Sequence, residues 1–94
     1  MKNYEIMYIL VPNLDADGTK NEINAIHKIL TDNGGKITGV KEWGMRDLAY
    51  EIKKQTKGYY VITEVTCDNK ALDAFNRIVP LDPKVMRFLV TATK

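Results

Sequence analysis

Six basic side chains, Lys36, Lys41, Arg46, Lys53, Lys54 and Lys57, fall within residues 36 to 60 of this 94-residue chain, against Glu42, Asp47 and Glu51. Clustered basic groups bind anions: an ammonium acts as a point charge toward phosphate, while a guanidinium offers a planar fork of donors. The segment therefore reads either as a phosphate-facing edge or as a solvated loop. Outside it the balance is different. Residues 1 to 35 carry Lys2, Lys20 and Lys28 against five carboxylates, and the whole chain nets only +2. That is too mild for strong nucleic-acid binding by this chain unaided.

Chemistry of other kinds finds little to work with. His27 is the only histidine and lies beside the apolar stripe of a helical segment, where packing explains it better than catalysis. Cys67 is the only cysteine, which excludes an internal disulfide and a four-cysteine metal site and leaves an inert thiol. Asp15 and Asp17 precede a helix, where capping accounts for them. Gly34-Gly35 follows a helix instead of opening one, so it is not a phosphate loop. Residues 12 to 20 contain no arginine, unlike an acylphosphatase loop. No catalytic residue, metal ligand or cofactor is expected.

The elements that must position the basic segment follow from periodicity. Residues 4 to 11 are aromatic and β-branched, a strand with Tyr4, Ile6, Tyr8 and Leu10 on one face and Met7, Ile9 and Val11 on the other. Asp15 caps a helix to about Asn33, with Ile23, Ile26 and Leu30 as its stripe and Gly34-Gly35 as its stop. Residues 36 to 43 form a strand in which Gly39 marks a bulge. A turn at Gly44, a strand through Leu48, Tyr50 and Ile52, and a polar turn from Lys53 to Gly58 follow. Tyr59 to Thr66 is the clearest strand of all. Asp68 or Asn69 caps a second helix with the stripe Ala71, Leu72, Phe75, Ile78 and Val79. Val85 to Ala92 is the last strand.

The order β-α-β-β-α-β predicts a ferredoxin-like α+β sandwich: a four-stranded antiparallel sheet with two helices on one face. At this length, residues 1–94 are expected to form a single domain. No apolar run is long enough to span a membrane and no signal peptide is visible, which predicts a reduced, cytoplasmic location. The sheet face away from the helices would carry Met7, Ile9, Tyr60, Ile62 and Leu89. Apolar area of that kind marks a partner surface, a homodimer contact, or simply a greasy sheet. An RNA recognition motif has the same topology and a third-strand signature opening basic-Gly-aromatic. Lys57-Gly58-Tyr59 matches that opening, but only three of roughly eight positions agree.

The segment Trp43-Gly44-Met45-Arg46-Asp47-Leu48-Ala49-Tyr50-Glu51-Ile52-Lys53-Lys54 is specific enough to name. With Tyr4 to Leu10 before it and Lys57-Gly58-Tyr59-Tyr60 after it, it resembles bacterial small-subunit ribosomal protein six over nearly the whole chain. The resemblance implies a structural, non-enzymatic component of the 30S ribosomal subunit. It further implies a heterodimer with small-subunit ribosomal protein eighteen that binds the central domain of 16S ribosomal RNA. Carried over by position, the implied RNA contacts are Lys2, Arg46, Lys53, Lys54 and Arg87. For the protein partner the expected residues are Trp43, Tyr60 and Ile62. Asp47 stands where the family usually has a second basic residue, and Glu51 where it has proline, both making the hairpin less positive. A stand-alone RNA-binding module and a homodimeric regulatory domain are the alternatives.

Overall fold

Tyr8 and Phe75 are the largest wholly buried side chains, and the core is built around them. The computed structural model describes residues 2–52 and 54–93. Strand β1 spans Lys2–Leu10 and sends Ile6, Tyr8 and Leu10 into the core, as the alternation requires. Helix α1 spans Ala16–Asp32, and the Asp15 carboxylate accepts the Gly18 amide at 2.6 Å. That bond satisfies one of the free donors at the helix start. Ile23, Ile26 and Leu30 are buried as one stripe.

Strand β2 spans Lys36–Ile52 and β3 spans Gln55–Cys67. Helix α2, Asn69–Ile78, buries Ala71, Ala74 and Phe75, and Phe75 meets Phe88 edge to face at 5.1 Å between ring centres. Asp68 occupies the α2 N-cap position but makes no capping bond. Ile78, expected in the stripe, is exposed, because the helix ends there and a short 3-10 turn, Val79–Leu81, takes Val79 inward instead. Strand β4 spans Val85–Thr93.

The sheet order is β2-β3-β1-β4 with every neighbouring pair antiparallel, and both helices pack on the face holding Ile6, Tyr8, Val61 and Val65. This is the ferredoxin-like α+β sandwich. Among the described residues, no helix is long and apolar enough to cross a membrane.

The expected turn at Gly44 is not a turn. Strand β2 runs on through it, with the register against β3 shifting between Glu42 and Gly44. Gly44 has φ of 83°, the left-handed conformation that a bulge residue needs and that glycine adopts without a Cβ clash. The bulge expected at Gly39 is present as a register shift between Ile37 and Gly39. The polar turn is also shorter than the sequence suggests, since Ile52 already pairs with Gln55 and Gln55 to Gly58 belong to β3.

Candidate nucleic-acid and partner interface

Leu10 of β1 pairs with Tyr59, so the β2–β3 hairpin beyond that point has no third strand beside it. Within it Arg46 pairs with Gly58, Asp47 with Lys57 and Ile52 with Gln55. This free arm leans back over the sheet face that the helices leave open. A Cβ at Gly58 would lie 2.3 Å from Ile9 Cγ2 and 3.6 Å from Leu48 Cδ2, so only glycine permits the approach. Tyr50, near the arm's tip, reaches β4, where the Arg87 guanidinium donates to its hydroxyl and sits 5.9 Å from its ring centre. Between arm and sheet lies a cleft of about 200 Å³ lined by Met7, Leu48, Tyr60 and Leu89 among others.

This arrangement gathers part of the predicted set and leaves part of it apart. Arg46 and Lys54 lie exposed on the arm, Lys54 with φ of 65° at its tip, while Arg87 lines the cleft from β4. Lys53 lies outside the described residues. Lys2 is elsewhere: it pairs with Cys67 at the opposite end of β1, whereas Ile9 pairs with Arg87. At about 3.3 Å per residue, Lys2 stands more than 20 Å from the arginine. Asp47 ion-pairs with Lys57 at 4.0 Å and Glu64 with Lys41 at 3.6 Å. The carboxylate that departs from the family pattern thus offsets Lys57, and Arg46 keeps its charge. Arg46 instead lies over the Trp43 ring, 5.3 Å from its centre.

Of the expected partner residues, Trp43 is 48% exposed, Tyr60 is half-buried on the cleft floor, and Ile62 is only 8% exposed. Strand alternation puts Ile62 on the outward face correctly. It does not foresee that Ile62, flanked by Met7 and Lys41 on the neighbouring strands, is left only 8% exposed. Sequence reasoning missed Tyr50, which is 59% exposed, because its contact with Arg87 joins residues 37 positions apart.

A second cleft of about 650 Å³ lies between α1 and β2, lined by Thr19, Ile23, His27, Val40, Glu42, Met45 and Tyr59 among others. His27 Nε2 is 3.0 Å from the Thr63 hydroxyl, which is 3.4 Å from the Tyr8 hydroxyl. Burial lowers the His27 pKa and pushes the Tyr8 phenol up to about 12, so both are neutral in the fold near pH 7. The Tyr59 hydroxyl donates to Glu42 at 3.0 Å, and burial followed by that carboxylate raises the Tyr59 pKa. These contacts tie α1 to the sheet. The Thr63 hydroxyl held against His27 is fully buried, so no substrate reaches it. Burial also raises the Cys67 thiol, keeping it protonated. No three metal-ligating side chains come together among the described residues.

Residues 3–92 match the family described as Ribosomal protein S6. The chain is 44% identical to the small ribosomal subunit protein bS6 of Shouchella clausii over 91 residues, covering 97% of this chain and 96% of that one. Identity, length and coverage are the same for bS6 of Halalkalibacterium halodurans. Among solved structures, 30S ribosomal protein S6 from Thermotoga maritima superimposes with a TM-score of 0.92 at 31% identity, covering 98% of this chain and 87% of that one.

Proposed function

The chain belongs to the ribosomal protein S6 family of non-enzymatic, small-subunit ribosomal proteins, and on that premise we propose its place within the subunit. It binds the central domain of 16S ribosomal RNA as a heterodimer with small-subunit ribosomal protein eighteen, on cytoplasmic ribosomes, residues 1–94 acting as one domain. The observation that carries this reading is the basic arm, with Arg46 and Lys54 exposed on it, joined through Tyr50 to Arg87 of β4 beside an apolar cleft. RNA phosphates are met by these three basic groups and by Lys53. Lys2, at the far end of β1, reaches a separate stretch of backbone. The protein partner docks on the open face around Tyr60, with Ile62 supporting it from beneath and Trp43 at its outer edge.

The charge arithmetic explains why a pair is needed. Each phosphate neutralised contributes about 0.7 to 0.9 to the slope of log affinity against log salt. A chain of net +2 that spends two basic groups on internal ion pairs has few such contacts to offer alone. The partner supplies further positive charge, and the combined basic and apolar surface favours one arrangement of the folded RNA. The test is a gel-shift titration of a 16S central-domain fragment with this protein alone, with the partner alone, and with both. Tight binding only with both supports the reading. Equally tight binding by this chain alone makes it an independent RNA module. Failure of both to bind sinks the assignment.

A further inference from the structure

We propose that Trp43 and Arg46 together form a stacking platform for one unpaired base of an RNA strand, with the guanidinium taking the adjacent phosphate. The inference rests on the RNA-binding reading above and specifies how the hairpin uses it. Trp43 is the only tryptophan of the chain and stands on the outer strand β2, next to the bulge at Gly44. The Arg46 guanidinium lies 5.3 Å from its ring centre, yet Trp43 remains 48% exposed to solvent. Among the described residues Arg46 is also uncommitted as a charge, since the ion pairs on this part of the sheet join Lys41 to Glu64 and Lys57 to Asp47.

A flat indole surface beside a delocalised cation with unused donors matches a planar ring attached to an anion, which is a nucleotide. An acidic protein segment would satisfy the cation but would not use the aromatic plane as well. Tyr50 of the arm forms a second aromatic–arginine pair with Arg87 of β4, at 5.9 Å, and Lys54 is exposed at the arm's tip. A repeated aromatic–cation arrangement at the base and the tip of one basic arm follows the plan of surfaces that track single strands. Trp43 thereby serves the RNA from the outer edge of the protein-partner surface, where the two surfaces meet.

Because Trp43 is the sole tryptophan, its emission reports the site directly in the unaltered full chain. At low salt, an eight-nucleotide oligoadenylate should quench it saturably, whereas inorganic polyphosphate at equal phosphate concentration should leave it nearly unchanged. Trp43→Leu should weaken binding of the dye-labelled oligonucleotide about five- to a hundredfold, while Trp43→Phe recovers most of it. Circular dichroism and urea midpoints establish that both variants fold. Equal quenching by polyphosphate overturns the stacking, leaving Arg46 a simple phosphate contact. Unchanged emission while the labelled 16S central-domain fragment binds with its partner also overturns it, and the RNA reading itself survives. Emission that responds to the protein partner and not to RNA assigns the ring to the protein interface instead.

Discussion

Replacing Glu22 by glutamine should make the protein more stable above neutral pH and change little below pH 5. Glu22 lies on α1 with 6% of its surface exposed, and its Oε2 has no hydrogen-bond partner. Burial, then a hydrogen bond and the negative charge from Asp82, push its carboxyl up to about 7, with Lys84 opposing. Asp82 is itself held in the turn before β4, accepting the Lys84 amide at 2.9 Å. A carboxyl whose folded pKa lies above its unfolded value favours the fold while protonated. That contribution is full below about pH 4.5, shrinks as pH rises, and is gone above about 7. The distance from 4.5 to about 7 sets a ceiling of about 3 kcal/mol at about 1.36 kcal/mol per pH unit. Local relaxation brings the expected loss to about 1 to 3 kcal/mol. Glutamine keeps the shape and carries no charge, so the difference in stability between variant and native chain should be near zero at pH 4.5 and about 1 to 3 kcal/mol at pH 8. Urea unfolding at both pH values measures it, with equal slopes confirming a common denatured state. Other groups that titrate over this range, including His27, cancel in the difference. Parallel stability profiles for the two proteins between pH 5 and 8 would refute the buried-carboxylate reasoning.

Three other expectations concern the arm and its surfaces. Gly58→Ala places a methyl group 2.3 Å from Ile9 Cγ2 and should cost about 1 to 3 kcal/mol through overpacking; a native urea midpoint would mean the arm does not press on the sheet. Arg46→Ala should lower the salt dependence of RNA binding by the pair by about 0.7 to 0.9, one phosphate's worth, and an unchanged slope and affinity removes it from the site. Tyr60→Asp should impair assembly with the protein partner while far-UV circular dichroism stays native, because its half-buried ring lies on the outward face, away from the helix-packed core. Normal heterodimer formation by size-exclusion chromatography would move the partner surface elsewhere.

Much of this architecture is legible in the residues because it is decided locally. The Tyr4–Leu10 alternation, the Asp15 cap and the Ile23, Ile26, Leu30 stripe each depend on neighbours within a turn or two, and each falls where its spacing puts it. The element order then restricts the topology to the observed sheet. The chemistry of the middle segment is equally visible, since clustered lysine and arginine need no partner to be recognised. What composition could not decide is which of those charges act together. Lys2 and Arg87 share a sign and separate to opposite ends of β1, while Arg46 stays free because register sets Lys57, and not Arg46, opposite Asp47.

The remaining features depend on contacts between residues far apart in the chain. Gly44 looks like a turn by type, and only pairing with β3 makes it a bulge that carries the arm onward. Glu22 has the composition of a solvated helix face, yet the loop holding Asp82 closes over it. Tyr50 reaches Arg87 across 37 positions, and that contact turns an outward sheet face into a partly covered cleft. Periodicity and caps read energies that a segment carries by itself. Burial of one polar group, the closing of an arm and the grouping of charges are energies of assembled neighbours, and they take their values only when the sheet's register and the packing of its helices bring those neighbours into place.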